Sequence, residues 1–354
     1  MTYLWEMLRS TDLPVVIYGM GDGADKLFLR CEQFGVQVSD IFASDEYVRG
    51  HTFRGYQVLK YSEVCEKYEN FIILLAFAAF EDELMAKITR YAHEHPLYAP
   101  DLPLFGGEIL TPDWVKTNAD DLQRAYESLA DEQSKFVFET VLRYKLSGNV
   151  LDLRTCETPR EEIFASIFRF GTNETFLDLG AYNGDTALEF AAQTNGVYNG
   201  IIAVEPDKKN YEKLLRNTEA LHDVRCENVG VWEKNGILSF SGGGGRASCL
   251  TPDAILDAET SKKYHIPVDT IDRIVGGEDV TYIKMDVEGA EHEALEGGRE
   301  TILRCHPKLA VSAYHRTHDF LTLILQLREI DPTYKIYLRH HPYIPAWETN
   351  LYAV

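Results

Sequence analysis

Short apolar runs, each followed by a polar turn and an amphipathic stretch, recur along this chain and predict an alternating β/α protein. Val15-Val16-Ile17-Tyr18 reads as a strand, Gly19-Met20-Gly21-Asp22-Gly23-Ala24 as a glycine turn, and Asp25 to Phe34 as a helix with Leu27, Phe28 and Cys31 on one face. Val38 to Ala43 is a second strand, Tyr61 to Tyr68 a helix, Phe71 to Ala76 a third strand and Glu81 to Ala92 an amphipathic helix. This alternation implies a small parallel sheet. Pro96 to Gly107, rich in proline and glycine, reads as a linker. The period then turns helical to Lys145, with Leu122, Ala125, Tyr126 and Leu129 sharing a face. A second α/β series follows. Its predicted strands are Thr175 to Leu179, Gly200 to Val204, Val224 to Val231, Thr281 to Met285, Leu309 to Ala313, Lys335 to Leu338 and Asn350 to Val354, with helices at Asp207 to Ala220, Ala290 to Cys305 and Asp319 to Ile330. The expected division is an N-terminal Rossmann-like unit at 1–107, a helical connector at 108–170 and a larger α/β domain at 171–354.

The most informative segment is Phe176-Leu177-Asp178-Leu179-Gly180-Ala181-Tyr182-Asn183-Gly184-Asp185-Thr186, a buried strand that runs through a glycine turn into a helix. Gly180 permits a sharp bend, and Gly184 permits close approach to the first helical turn. No Lys-Ser/Thr follows, so this is not a triphosphate loop. The next strand ends in Glu205, placed to take the two hydroxyls of a ribose. A ribose acid without a pyrophosphate cradle points to S-adenosylmethionine rather than NAD.

The formal net charge of −21 argues against a nucleic-acid partner and against anionic membranes. Six cysteines without C-x-x-C spacing fit a reducing compartment. The N-terminus lacks a signal-peptide pattern, and the longest apolar run, Phe71 to Phe80, is too short to span a bilayer. A cytoplasmic protein is expected.

Four further segments fall where a class I methyltransferase would use them: Asn228-Val229-Gly230-Val231-Trp232; Tyr282-Ile283-Lys284-Met285-Asp286-Val287-Glu288-Gly289-Ala290-Glu291; Ser312-Ala313-Tyr314-His315; and Tyr337-Leu338-Arg339-His340-His341. With these residues the region from Thr175 to Val354 resembles the FkbM family of S-adenosylmethionine-dependent methyltransferases. The resemblance implies a class I methyltransferase Rossmann-like α/β fold with a seven-stranded, mostly parallel sheet. It also implies cofactor contacts from Asp178, Gly180, Tyr182, Gly184, Thr186, Glu205, Pro206, Gly230 and Val231. The first hundred residues are similar to the N-terminal Rossmann-like domain of some bacterial sugar-modifying enzymes, through Val15-Val16-Ile17-Tyr18-Gly19 and Gly55-Tyr56-Gln57-Val58-Leu59. That implies a nucleotide or sugar role, with a scaffold or dimerisation role in a homo-oligomer as the alternative.

Methylating a hydroxyl needs alignment, exclusion of water and removal of a proton. Asp286, at a strand tip, is the expected substrate contact and His315 the expected proton acceptor. Glu288 and His341 are expected to bind the acceptor, a small molecule or glycan, while Glu291 reads as an acid complementing a helix dipole. Ser241-Gly242-Gly243-Gly244-Gly245-Arg246 reads as a loop bringing Arg246 to an acceptor anion. His340 and His341 with Asp286 and His315 follow no tight ligand spacing, so no metal site is expected. Methylation of a nitrogen or a carboxylate, and a nucleoside-binding protein without catalysis, are the other readings.

Overall fold

The computed structural model describes residues 2–48, 50–242 and 262–354. The first half builds a six-stranded sheet in the order Thr52–Phe53, Tyr56–Leu59, Val38–Phe42, Val15–Tyr18, Ile72–Leu75, Leu97–Tyr98, parallel except for the edge hairpin. Its central strands Val15–Tyr18 and Ile72–Leu75 are buried throughout, which is why they read as unbroken apolar runs.

The second half forms a seven-stranded sheet. Its members are Thr175–Leu179 (β1), Gly200–Val204 (β2), Val224–Glu227 (β3), Tyr282–Met285 (β4), Lys308–Ser312 (β5), Ile336–His340 (β6) and Thr349–Ala353 (β7). The order is β6-β7-β5-β4-β1-β2-β3, with β7 antiparallel to both neighbours, so the sheet is mostly parallel as expected. Strand order reverses between β1 and β4, and ligands of such sheets bind in the crevice beyond the carboxyl ends at that point. A cavity of about 560 Å³ lined by Thr175, Asn199, Gly200, Asp223 and Arg225 lies at the opposite, amino end of the strands, where Arg225 is already bonded to Glu227, Glu278 and the Ile274 carbonyl. It has no bearing on the crevice.

Two expectations are corrected. The third strand stops at Glu227, and Gly230–Val231 pairs instead with Val268 and Asp269. The chain turns there because the Asn228 amide donates to the carbonyls of Glu205 and Pro206. The long helix from Ala290 is two helices, Glu291–Gly297 and Arg299–Cys305. A side chain at Gly297 would lie 2.3 Å from the Trp232 carbonyl oxygen, so only glycine allows that close packing.

Between the sheets lies helix Glu132–Ser147, and one buried cluster runs from Tyr18 and Phe42 through Val137, Phe138 and Tyr144 to Ile324 and Leu338. The carboxyl ends of the first sheet's strands reach the second half. Ala79 and Ile344 exchange backbone hydrogen bonds of 2.7 and 2.9 Å, and a buried Lys145–Asp101 pair at 3.0 Å fixes the chain beyond Tyr98. Asp131 caps helix Glu132–Ser147 through the Ser134 N–H at 2.8 Å and accepts from Arg339 of β6 at 2.6 Å. Burial opposes its charge, but Arg339 and Ser134 outweigh it and hold its carboxyl below the usual range. Its contribution is therefore present above the ordinary aspartate pKa and lost as pH falls through the depressed folded value. Asp131→Asn is expected to lower stability by about 1 kcal/mol at neutral pH and to flatten the acid limb, checked by urea unfolding at two pH values. Among the described residues no helix is long and apolar enough to cross a membrane.

Candidate active site

At the end of β1 the backbone bends at Gly180 with φ +78°. Gly180 and Ala181 both donate to the Val204 carbonyl, which ties the bend to the tip of β2. Gly184, at φ +88°, starts helix Asp185–Gln193. Within this turn Thr186 donates its hydroxyl to Asp178, a fully buried carboxylate whose other oxygen has no hydrogen-bond partner. Burial raises the Asp178 pKa, and Lys284, 3.5 Å away, opposes that shift. Lys284 also donates to the Gly180 carbonyl at 2.8 Å, so one ammonium braces both ends of the turn.

Glu205 follows β2 and is 6% exposed. Its two oxygens accept from the Tyr182 N–H and the Asp207 N–H, each at 2.9 Å. A carboxylate has about four acceptor positions, so both oxygens keep a lone pair for a ligand hydroxyl. Burial raises its pKa while the two backbone donors lower it. Tyr182 is 45% exposed at φ +47°, and its ring lies under Lys213. Pro206 is tied back by Asn228, and Gly230 and Val231 are buried beside the same loop.

Beyond the β4 tip four carboxylates and one imidazole converge. The His315 ring is 2% exposed. Its Nδ1 lies 2.9 Å from Glu291 Oε1, and its Nε2 lies 3.4 Å from Asp286 Oδ1 and 3.7 Å from Glu288 Oε2. Glu291 Oε1 also accepts from the N–H groups of Val287 and Gly289. Tyr314 donates to Asp286 at 3.3 Å. Burial works against charge on His315, but Glu291, Asp286 and Glu288 overcome it and push its pKa up to about 10. Asp286, disfavoured by burial, is held below the usual range by Lys284 and His315. Glu288, at φ +55° and 48% side-chain exposure, is raised to about 7 by burial and by Asp286, against the pull of His315. Glu348, half-buried, is raised by burial and by Asp286.

The donor atoms of Asp286, Glu291 and His315 lie within 4.8 Å of one another, a spacing that a metal ion or an imidazolium among carboxylates would share. Asp286 faces Nε2 and Glu291 faces Nδ1, so one ion cannot take both carboxylates together with the ring. The ion-pair arrangement accounts for the geometry.

The structure brings Asp286, His315 and Glu288 together and sets the Gly180 turn against the β4 tip. His341 does not join them. Its Nδ1 meets the Thr158 carbonyl at 2.8 Å and its Nε2 the Tyr352 hydroxyl at 2.6 Å, while burial lowers its pKa to about 4. With both nitrogens occupied it has a structural role, which corrects its expected contact with the acceptor. His340 is likewise buried between Thr349 and the Tyr343 carbonyl. Arg246 lies outside the described residues. Glu291, expected to complement a helix dipole, does lie in the first turn of its helix but is 1% exposed and faces His315. One participant went unread in the sequence: Phe105 packs its ring 5.6 Å from that of His315 and donates its N–H to the His315 carbonyl. Phe105 also covers Gly289, where a side chain would sit 2.8 Å from its ring. Nothing in its local spacing marks it, because its partners lie far along the chain.

A family model described as the methyltransferase FkbM domain matches residues 178–341. The chain is similar over 99% of its length, and 92% of the other's, to the crystal structure of methyltransferase FkbM from Methylobacillus flagellatus KT, at TM-score 0.73 and 25% identity. More distant are an rRNA methylase from Streptococcus thermophilus (TM-score 0.34, 14% identity, 54% of this chain and 90% of that one) and fibrillarin from Aeropyrum pernix with natively bound S-adenosyl-L-methionine (0.31, 13%, 52% and 69%). No curated protein sequence matches. The α/β fold is of the class I methyltransferase kind.

Proposed function

Because the chain carries an FkbM-family methyltransferase domain at residues 178–341, we propose that it transfers the methyl group of S-adenosylmethionine to a hydroxyl of a sugar or another small polyhydroxylated metabolite. One observation carries this reading. The switch-point crevice joins a bare glycine bend and a ribose-placed carboxylate, Glu205, to a cluster of proton-holding groups at the β4 tip. The adenosine lies along the Gly180 turn, with its ribose hydroxyls on Glu205 and Gly230–Val231 beside the base. Asp178 and Thr186 orient the turn, and the methyl group faces Asp286.

Four carboxylates around the transfer point favour an acceptor rich in hydroxyl donors. An anionic acceptor meets like charge from Asp286, Glu288 and Glu348, which weighs against a carboxylate or a phosphate backbone. The N-terminal half supplies Phe105 as a wall of the acceptor space. Incubation with the cofactor and a panel of sugars, followed by mass and position analysis of the product, tests the proposal. A methylated hydroxyl is expected; turnover confined to amines or carboxylates would overturn it.

A further inference from the structure

His315 is the only side chain that touches Asp286, Glu288 and Glu291 together among the described residues, and it is the least exposed of the groups at the β4 tip apart from Glu291. Glu291 Oε1 accepts from the N–H groups of Val287 and Gly289, at 3.0 and 3.4 Å, and lies 2.9 Å from His315 Nδ1 as an ion pair outside hydrogen-bond geometry. The two backbone donors bracket Glu288, whose left-handed conformation turns its carboxylate outward and toward His315 Nε2. One buried carboxylate thus sets both the loop that presents Glu288 and the ring that Glu288 faces. A buried acid beside Nδ1 stabilises a proton there, and Asp286 and Glu288 facing Nε2 favour a second proton on that nitrogen, so the ring is a cation whose Nε2 is a donor toward the acceptor space.

Resting on the methyl-transfer reading, we propose that Glu291 is a positioning residue that keeps His315 an imidazolium, and that Glu288 rather than His315 takes the acceptor proton. In this step the hydroxyl proton passes to a Glu288 oxygen as the acceptor oxygen bonds to the methyl carbon. The carbon–sulfur bond breaks with its electron pair staying on sulfur, which leaves neutral S-adenosylhomocysteine. The His315 Nε2–H stabilises the negative charge that develops on the acceptor oxygen as its proton leaves, and His315 remains protonated throughout. The assignment replaces the expectation that His315 is the base: an imidazole flanked by three carboxylates holds its proton too firmly to accept another. The groups facing Glu288 are His315, Asp286, Glu291, Lys284 and Tyr314. Their balance leaves it able to change protonation near neutral pH.

Two measurements test this. First, carbon-13 labelled histidine in the cofactor-free protein, with the signal assigned through His315→Asn, should show His315 still protonated well above pH 8 and titrating lower in Glu291→Gln. A merely structural Glu291 would change the unfolding midpoint and leave that titration where it was. Second, Glu288→Gln, at a half-exposed position that leaves the fold intact, should lower kcat about a hundredfold or more and remove the rise of kcat through neutral pH, with S-adenosylhomocysteine affinity unchanged. Loss of the His315 proton near its ordinary value in the wild type, or a Glu288→Gln enzyme that keeps its rate and pH profile, would overturn the proposal. If Glu291→Gln does not fold, the wild-type titration and Glu288→Gln decide it. Failure of the methyl-transfer reading would appear separately, as absent S-adenosylhomocysteine binding, and the His315 titration is read without cofactor.

Discussion

Gly180→Ala is expected to abolish cofactor binding and to lower the unfolding midpoint by several degrees. At φ +78° any L-residue costs about 1–2 kcal/mol. The larger cost is steric, because the new methyl would stand 1.9 Å from the Asp286 carbonyl oxygen. That oxygen belongs to the backbone and cannot rotate away. Relief requires parting the tips of β1 and β4, where Asp286 N–H bonds the Leu179 carbonyl at 3.0 Å and Lys284 holds the Gly180 carbonyl. Overpacking of this kind adds about 1–3 kcal/mol, for a total of about 2–5. The displaced strand tips are the walls of the crevice, so binding suffers beyond the loss in stability. Gly184→Ala is the control. Its φ of +88° carries a similar backbone cost, but its tight contacts are with the side chains of Thr218 and Leu214, at 3.0 and 3.1 Å, and the Leu214 Cα lies at an ordinary 3.8 Å. Thermal unfolding and calorimetric titration with S-adenosylhomocysteine should show Gly180→Ala as the more damaging change in both. Wild-type affinity in Gly180→Ala would remove the crevice from the account.

Glu205→Ala is expected to weaken S-adenosylhomocysteine binding about a hundredfold or more. The carboxylate would accept two ribose hydroxyls, and hydrogen bonds to a charged group contribute about 1.5–3 kcal/mol each. Its removal also leaves the N–H groups of Tyr182 and Asp207 without their acceptor, which loosens the glycine turn. Glu205→Gln separates the two effects. The amide oxygen can still accept one backbone N–H, so the turn is partly kept while the charge is lost. An affinity and a stability between those of the wild type and Glu205→Ala are expected for Glu205→Gln. Unchanged affinity in both variants would mean that the ribose lies elsewhere.

The architecture was legible where burial leaves a continuous imprint. β1, β2 and the central strands of the first sheet are covered on both faces, and their apolar runs end in the residues that shape the crevice. The glycine turn was legible for the same local reason, since a bend with positive φ at Gly180 and Gly184 has few sequence solutions. What failed depended on distant partners. Glu291 occupies the first turn of a helix, where a solvent-facing acid and an inward one have the same spacing, and only His315, far along the chain, decides between them. His341 read as an available imidazole until Thr158 and Tyr352 closed on it from either side. The break between Glu227 and Gly230 came from the Asn228 side chain reaching back to the β2 loop, a contact that periodicity does not carry. Protonation is the clearest case. A histidine in isolation is poised near neutrality, whereas three carboxylates within 4 Å make His315 a lasting cation and Glu288 the group that titrates.

The most direct measurement is a crystal structure of the protein with S-adenosylhomocysteine. The account predicts the ribose hydroxyls on Glu205, the adenosine along the Gly180 bend and the sulfur facing Asp286, with Glu288 and His315 lining the space beyond it. A nucleoside bound anywhere else, or a crevice that stays empty at saturating ligand, would contradict it.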